Sequence, residues 1–540
     1  MGQNMQCNRI GTRRKLIFAF VLGGILSFFY VAGYGLERDN SLDLTEKVFY
    51  LKWILGAFPA AGILHALWEL TDRYGDRIGK AALWRRVKFI LPDWLCVAIL
   101  LICWLPVWLS IFPGAFAYDA FTEWEQFRDG MITSHHPVLH VLLLGGTVEG
   151  MYHLTGSYNA GIAVYTFLQM LILANVFVRT LKFMEEFQLP DIFRWFALCF
   201  YGLSPVSQLF AVSTTKDVLF SAALLIFLLN LIRFCCQRKE FFLHRGQMIS
   251  FGLSAFFSMI LRNNGLYIVV IILAVMLAAG GEYRKKLALI AAGICLAYGV
   301  YVGPCYRILQ VTPGGIEEML SVPLQQMARV HKYDYDSLER QDLELLYRIV
   351  PKEDLDSYRS TVSDFVKKGF QRENFQDYKK EFFSLWLKWG MQHPLTYVNS
   401  FLINTVDFWY PGAVVDGYQD EYGRSSYFDY RVSIPGEEMS FLPGVHGYYE
   451  RISFDPEMQK VPFMSLLLSP GWYLVMVMVI FSRWWRNRKY TFMIPGLIFL
   501  LTMLTVLPGP MALVRYVLIF YYAFPVWLAF FLCDEHFSGY

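Results

Sequence analysis

Long apolar runs, each close to the length of a bilayer-spanning helix, recur along the whole chain and limit what it can fold into. A helix needs roughly 20 apolar residues to cross the hydrocarbon core. Charged residues make up only 17% of the chain, whereas a soluble globular protein carries roughly 25%. The pattern predicts an all-α membrane protein with about twelve transmembrane helices. The predicted spans cover residues 16–34, 48–68, 93–112, 158–178, 194–211, 217–234, 248–262, 265–281, 287–306, 462–482, 491–507 and 512–533.

The distribution of lysine and arginine between the loops predicts the orientation, because cytosolic loops are enriched in these residues. Basic clusters fall in alternate loops, on the same side as the N-terminus. They are Arg73, Arg77, Lys80, Arg85, Arg86 and Lys88; Arg238, Lys239 and Arg245; Arg284, Lys285 and Lys286; and Arg483, Arg486, Arg488 and Lys489. Residues 311–460, in contrast, hold 24 acidic and 16 basic residues, a net charge of −8. Both termini are therefore predicted in the cytosol.

Three regions follow from this topology. Residues 1–310 are predicted to form a transmembrane core whose first outer loop, 113–157, is catalytic. Residues 311–460 are predicted to form a mainly helical outer domain, with helices over 334–390 and irregular chain with short strands over 411–444. Residues 461–540 add the last transmembrane helices. The apolar stretch 137–154 is predicted to lie along the outer interface, because counting it as a span would invert every later loop.

The first outer loop offers the leading candidate for chemistry. Asp119 follows the third predicted span by a few residues, which places a carboxylate at the outer membrane surface. Glu123 falls one helical turn later and shares a face with Asp119. We expect Asp119 to act on substrate. We interpret Glu123, Glu125 and Asp129 as ordinary solvated carboxylates of a surface helix.

A second charged pair, Lys216 and Asp217, opens a later predicted span at its outer end. Charges at the mouth of a membrane helix are costly and are therefore typical of functional sites. Thr215 or Asp217 as a helix N-cap is an equally good interpretation, and the two roles are compatible.

Histidines follow in the first outer loop. His135 and His136 precede Pro137, and His140 lies one helical turn beyond His136. Two histidines at this spacing form a possible metal pair, but two ligands make a weak metal site. Hydrogen bonding to a phosphate or a sugar is the preferred interpretation, so no metal ligand is assigned and no cofactor is required, although a divalent metal stays possible.

Two arginines lie close to predicted helix ends on the outer side. Arg262 and Asn263 form the tip between two spans, a composition that suits phosphate; an ordinary turn with a snorkelling arginine is the alternative. Arg515, beside Tyr516, lies inside the last predicted span and needs an anionic partner there. Asp217 or a lipid phosphate fits that need.

The start of the outer domain carries a third polar group, Gln325, Gln326 and Arg329. Amides and a guanidinium just above the membrane suit sugar hydroxyls. The polar start of a surface helix explains them equally well.

The arrangement resembles the GT-C superfamily, which are polytopic glycosyltransferases that use polyprenyl-phosphate-linked sugars. The stretches YDAFTEWEQFRDGMITSHHPVLHVLLLG and TTKDVLFSA, within residues 90–230, carry the resemblance. The chain also looks like an uncharacterised bacterial membrane family near that superfamily, through RNNGLY, SVPLQQMARV and VRYVLIFYYAFP. The resemblance implies that Asp119 is the catalytic residue of the first outer loop and that Asp217, with Lys216, joins the same site. Ala120 stands where many mannosyltransferases have a glutamate, and His135-His136-Pro137 replaces the usual His-Pro-Pro.

We therefore expect a glycosyltransferase of a bacterial plasma membrane with its active site facing outside. The predicted donor is a polyprenyl-phosphate-linked sugar and the acceptor a glycan, lipid or protein; nucleic acid is not an expected partner. Arg262, Arg515 and Lys216 are predicted to bind the donor phosphate, and Asp119 to accept the acceptor's proton. An O-antigen-ligase-like or polymerase-like enzyme and a transporter or flippase of lipid-linked sugars are the alternatives; the sequence shows no internal repeat of the kind many transporters have.

Overall fold

The computed structural model describes residues 2–80, 87–413 and 428–533 of the chain. These residues are mainly α-helical, and within them the only extended pairings are isolated bridges. Arg85 and Arg86 of the predicted basic loop, and residues 414–427 of the predicted irregular segment, lie outside the described ranges. The all-α prediction is confirmed.

The α-helices of the N-terminal half are Gly2–Asp39, Lys47–Lys80, Asp93–Ser110, Ala120–Arg128, Val138–Thr155, Tyr158–Glu186, Asp191–Leu203, Pro205–Ala211, Lys216–Cys236, Arg238–Leu243, Arg245–Leu261, Asn263–Ala279, Arg284–Val300 and Tyr306–Ile308. Those of the C-terminal half are Ser321–Tyr333, Arg340–Ile349, Lys352–Asp356, Asp364–Lys367, Arg372–Asp377, Lys379–Gln392, Pro394–Trp409, Pro443–Phe454, Pro456–Lys460, Pro462–Leu468, Pro470–Arg486, Met493–Val506 and Leu518–Leu532. Tyr301–Cys305 is a π-helical turn, and short 3₁₀ turns cover Gly281–Tyr283, Ile316–Leu320, Tyr335–Ser337, Tyr490–Phe492 and Val514–Val517.

Seven of the described helical segments are long and apolar enough to cross a membrane, and a bent pair near the C-terminus makes an eighth. They are Lys15–Asp39, Lys47–Tyr74, Asp93–Ser110, Tyr158–Glu186, Lys216–Cys236, Gly281–Ile308 and Val514–Leu532, with Pro462–Leu468 and Pro470–Arg486 as the bent pair. Asn263–Ala279 and Tyr490–Val506 are apolar but shorter. A multi-pass helical membrane protein is therefore the class that this fold defines.

Two predicted spans are not continuous helices. Residues 462–482 fall in the helices Pro462–Leu468 and Pro470–Arg486, which are bent by 73° at Ser469. Residues 194–211 do not form one continuous helix but belong to two, Asp191–Leu203 and Pro205–Ala211. Ser204 between them is extended, since a residue that precedes a proline is disfavoured in helical geometry.

The centre of the bundle is formed by helices that are apolar on every side. The most apolar windows of Lys216–Cys236 and Val514–Leu532 are 78% and 83% buried, whereas that of Lys47–Tyr74 is only 22% buried. A helix buried all round belongs to the core of a bundle, and one with an exposed apolar face is suited to lipid. The two central helices begin at Lys216 and just before Arg515, so their starts carry the charged residues of interest.

Much of the segment 311–460 has a core of its own. Leu324, Met327, Leu346, Phe375 and Trp389 belong to a hydrophobic cluster separate from that of the bundle. Helices cover much of 334–390, as predicted. The later segment behaves differently, because Phe428, Tyr430, Tyr449 and Ile452 pack into the cluster of the membrane helices instead.

Candidate functional site

Backbone hydrogen bonds join two segments that are distant in sequence and lie next to the candidate site. The segment after helix Asp93–Ser110 meets the segment before helix Lys216–Cys236 in a parallel bridge between Ala115 and Ser213. The Ala115 amide donates to Val212 at 2.9 Å, and the Thr214 amide donates back to Ala115 at 3.0 Å. This pairing brings the end of helix Asp93–Ser110 close to the start of helix Lys216–Cys236, and with them Asp119 and Lys216.

Tyr118, directly before Asp119, is held in an unusual backbone conformation. Its φ is +57°, a region that is costly for a bulky side chain and is found mostly at functional sites. The Tyr118 amide donates to Asp429 Oδ2 at 3.1 Å, and the Asp429 amide donates to the Tyr118 hydroxyl at 2.9 Å. Asp429, which the sequence analysis did not single out, therefore fixes the position of Asp119 from more than 300 residues away.

Lys216 is surrounded by three acceptors. Its ammonium donates to Asp119 Oδ2 at 2.6 Å, to Glu123 Oε1 at 3.1 Å and to His136 Nδ1 at 3.0 Å. An ammonium has three N–H donors and no acceptor, so these partners use all three. Because lysine can only donate, His136 accepts through Nδ1. Lys216 thus holds the cluster together and has no donor left over for a phosphate in this arrangement; its substrate-binding role stays a prediction.

Glu123 is part of the site, and its interpretation as a solvated surface carboxylate is wrong. Its side chain is 1% exposed, because the helix Ala120–Arg128 packs its Glu123 face inward. One carboxylate oxygen accepts from Lys216, and the other pairs with His140 Nδ1. His140 Nε2 in turn lies 2.7 Å from the Tyr165 hydroxyl. The sequence signal was present, since Glu123 lies one helical turn after Asp119.

Asp217 lies at the junction of the two arginines. Its side chain is fully buried; Oδ1 pairs with Arg262 Nη1, and Oδ2 accepts from the Thr215 hydroxyl at 3.0 Å. Thr215 is the N-cap residue of the helix, but its side chain contacts Asp217 rather than a backbone amide. Arg515 Nη1 lies 3.6 Å from Asp217 and 2.8 Å from Asp119, so one guanidinium links both carboxylates.

Aromatic rings orient the two arginines. The Arg515 guanidinium lies 4.5 Å from the Tyr118 ring centre and 4.9 Å from that of Tyr516, and Arg262 lies 4.3 Å from Tyr516. Arginine stacks on aromatic faces in this way while its edge stays free to bind anions. Arg515 Nε is buried and has no hydrogen-bond partner among the described residues. Within the same described part of the chain, Arg262 donates to Asp217 alone.

The charges of this cluster balance. Asp119, Glu123 and Asp217 face Lys216, Arg262 and Arg515. Exposure distinguishes the carboxylates: the side chain of Asp119 is 30% exposed, whereas those of Glu123 and Asp217 are 1% and 0% exposed. Asp217, which the resemblance places in the same catalytic site as Asp119, is fully buried and has both carboxylate oxygens paired; its catalytic role stays a prediction. Asp119 is the carboxylate that a substrate can reach.

Electrostatics outside the membrane-spanning helices follow from these contacts. Burial opposes ionisation of Asp119, but Arg515 and Lys216 outweigh burial and hold its pKa well below the usual range. Burial also opposes ionisation of Glu123, yet His140 and Lys216 lower its pKa to about 2. Burial, reinforced by Lys216, lowers the pKa of His136 to about 3, so His136 is neutral at pH 7.

Among the described residues, one trio that the sequence did not suggest could hold a metal ion. Potential ligand atoms of Asp119, Glu123 and His136 lie within 4.8 Å of one another. The predicted His136–His140 pair is not available, because both ring nitrogens of His140 are engaged by Glu123 and Tyr165. His136 contributes to the trio, whereas His135 is exposed and stacks edge-on against His136.

Asn263 lies at the rim of the cluster, where its amide donates to the backbone oxygens of Ser134 and His135 at 3.3 and 3.5 Å. It connects the Arg262 turn to the histidine segment. Asn263 therefore stabilises the loops that carry the cluster.

The three polar residues at the start of the predicted outer domain pair with other protein groups. Gln325 donates to the Arg359 oxygen at 2.8 Å, Gln326 accepts from Trp386 at 2.9 Å, and Arg329 donates to the Asn40 oxygen at 2.6 Å. Gln325 and Arg329 are buried. Their donors therefore connect the helices of this segment to one another and to the end of the first helix; sugar binding by these residues stays a prediction.

Comparison with known proteins identifies the family to which this helical membrane protein belongs. Residues 128–537 match the family of unknown function DUF6020, and the chain belongs to that family. No curated protein and no solved structure matches the chain. The matched region contains Lys216, Asp217, Arg262 and Arg515, whereas Asp119 and Glu123 precede its first residue.

Proposed function

We propose that the protein is a membrane glycosyltransferase that moves a sugar from a polyprenyl-phosphate donor to an acceptor on the outer face of a bacterial plasma membrane. The proposal includes about twelve spans, cytosolic termini and a GT-C type of active site. The observation that carries it is the combination of one reachable carboxylate, Asp119, with two stacked arginines that retain unused donors. In a sugar phosphate, the anomeric carbon that a hydroxyl attacks is bonded to an anionic leaving group. Asp119 suits the activation of the hydroxyl, and the two arginines suit the binding of the phosphate.

The phosphate of the donor would bind at the arginines. Arg262 uses one donor on Asp217, and the buried Nε of Arg515 has no partner among the described residues. Guanidinium groups pair with phosphate through two parallel hydrogen bonds. Binding the leaving group's charge in a poorly solvated site is usually a large contribution to catalysis.

Asp119 would then act as the general base. The acceptor hydroxyl gives its proton to the Asp119 carboxylate, and its oxygen forms a bond to the anomeric carbon. The bond between that carbon and the phosphate oxygen breaks, and polyprenyl phosphate leaves with the electron pair. A single displacement of this kind inverts the anomeric configuration.

The ion pairs of Asp119 make donor binding and base strength interdependent. A carboxylate whose pKa lies well below the usual range is a weak base. Arg515 contributes most among the charges that lower it. When a phosphate shares the charge of Arg515, the pKa of Asp119 rises toward its ordinary value, so the base gains strength only with the donor in place.

An O-antigen-ligase-like or polymerase-like enzyme is the second candidate. The shared stacking of Arg262 and Arg515 on Tyr516 places two cations side by side, which suits a lipid pyrophosphate as well as a phosphate. The identity of the donor separates the two functions, because only a pyrophosphate-linked sugar would be consumed by the second type of enzyme.

The test uses membranes that contain wild-type protein or Asp119→Asn, supplied with polyprenyl-phosphate-linked hexoses and pentoses. We expect wild type to release polyprenyl phosphate and Asp119→Asn to release none, with equal amounts of folded protein. Asp129→Asn is the matched control, since Asp129 ends the same helix, pairs with Arg128 and is exposed. Normal transfer by Asp119→Asn would remove Asp119 from the mechanism, and movement of intact donor across the membrane without transfer would favour a flippase.

A further inference from the structure

The position of the Lys216 ammonium among Asp119, Glu123 and His136 raises the question of which cation this trio holds. Two carboxylates and an imidazole, with ligand atoms within 4.8 Å of one another, form a donor set suited to a divalent metal. In this chain, the same three side chains all accept hydrogen bonds from Lys216. The trio and the lysine are therefore not independent features.

We propose that Lys216 is the resident cation of the Asp119–Glu123–His136 site and occupies the place where a divalent metal would otherwise bind. The inference does not depend on sugar transfer and holds whatever reaction the site performs.

The count of hydrogen bonds supports this. The three N–H groups of Lys216 meet three acceptors at 2.6, 3.1 and 3.0 Å. The lysine side chain is only 11% exposed, and a buried cation needs such complete pairing. A lysine that merely passed the trio would not have its donors matched one to one.

The Lys216 ammonium and a divalent metal ion cannot occupy this site at the same time, for reasons of space and of charge. Zinc binds nitrogen and oxygen ligands at about 2.0–2.2 Å, so it would have to lie in the gap that the ammonium now fills. A divalent ion beside an ammonium would also meet strong repulsion in a poorly solvated site. Removing the ammonium frees the centre between the Asp119 and Glu123 carboxylates and His136, while Arg515 stays paired with Asp119.

Local structure explains why the lysine cannot leave easily. Lys216 is the first residue of the buried helix Lys216–Cys236. The preceding backbone is fixed by the hydrogen bond from the Thr214 amide to Ala115. The cation of this site is therefore part of the protein chain and is not taken up from solution.

The experiment measures metal content, not activity. Purified full-length wild type, Lys216→Ala and the double variant Lys216→Ala/Asp119→Asn are exposed to Co²⁺ and then desalted. We expect no site-bound Co²⁺ in wild type, one Co²⁺ per chain with visible absorption bands in Lys216→Ala, and loss of that ion in the double variant. Lys182→Ala is the control, because Lys182 is 56% exposed and pairs with Asp93 elsewhere; it should match wild type.

Two results would overturn the proposal. One is a folded Lys216→Ala protein that binds no Co²⁺. The other is wild type that retains one metal per chain, by elemental analysis after loading with Zn²⁺, and loses it in Asp119→Asn. The metal analysis of wild type and Asp119→Asn can be made even if Lys216→Ala fails to fold. If wild type holds no metal that is lost in Asp119→Asn, the result supports a site filled by the lysine. Neither measurement reports on sugar transfer.

Discussion

Replacing Glu123 with glutamine tests how strongly the buried ion pairs stabilise the fold. Glutamine has nearly the shape of glutamate but no charge, so Glu123→Gln removes the anion that Lys216 and His140 face. These contacts lower the pKa of Glu123 from 4.5 to about 2. One pKa unit corresponds to about 1.4 kcal/mol, so the ionised carboxylate contributes about 3 kcal/mol to the free energy of unfolding at pH 7.

The pH dependence gives the prediction its sign. Because folding lowers the pKa of Glu123, its stabilising effect is complete above pH 4.5 and is lost as the pH falls toward about 2. Glu123→Gln mimics the protonated side chain throughout. We therefore expect wild type to be more stable than the variant by about 3 kcal/mol at pH 7, with the difference shrinking steadily below pH 4.5.

Denaturant unfolding in detergent micelles, followed at pH 7, 5, 4 and 3, measures this difference. Glu125→Gln is the matched control, because Glu125 lies on the same helix but is 43% exposed and pairs with Arg128 at 3.4 Å. An exposed pair contributes at most about 1 kcal/mol. A Glu123→Gln difference no larger than that of the control, or one that does not change with pH, would refute the reasoning.

Two further substitutions probe the arginines and the loop that carries Arg262. Gly265→Ala should lower the thermal unfolding midpoint, since a Cβ there would lie 1.8 Å from the Ser258 oxygen; Gly252→Ala, where a Cβ meets nothing within 4 Å, is the control, and equal midpoints would contradict the packing argument. Arg515→Lys should reduce sugar transfer at least tenfold while the protein stays folded, because lysine keeps the charge but loses the planar edge. Transfer equal to that of Arg128→Lys, an exposed control, would show that charge alone suffices.

Charge next to a helix end was the most informative signal in the sequence. Lys216, Asp217 and Arg515 were singled out because a charge in or at the end of an apolar run is costly. Asp119 and Arg262 were singled out because they lie where an apolar run ends, and the structure brings all five together. An arginine inside a membrane helix requires an opposite charge, and Asp217 was predicted as one partner of Arg515. The position of charged residues at the ends of apolar runs thus predicted which residues lie together in the fold, although not which contacts they make.

The burial of Glu123 could not be inferred in the same way. Ala120 and Trp124 are buried with it on the same nine-residue helix. Glu123 is itself charged and shares a helical face with the polar Asp119 and Gln126, so the sequence favoured an exposed position for it. Asp429 was missed for another reason. It is not next to an apolar run, and its contact with Tyr118 is fixed by tertiary packing alone.

The segment predicted to form the outer domain shows a different limit of sequence reasoning. Gln325, Gln326 and Arg329 form a conspicuous polar group, but each donates to a backbone oxygen, and Gln326 also accepts from Trp386. Buried backbone oxygens need donors as much as ligands do, and sequence alone does not distinguish the two.

Mass spectrometry of surface glycans and cell-wall polymers tests the central claim most directly. Cells that lack the gene are compared with cells that express wild type, Asp119→Asn or Asp129→Asn at matched levels. The proposed function predicts that one glycan modification disappears without the gene, returns with wild type and with Asp129→Asn, and stays absent with Asp119→Asn. An identical set of glycans in all four strains would contradict the assignment of sugar transfer to this site.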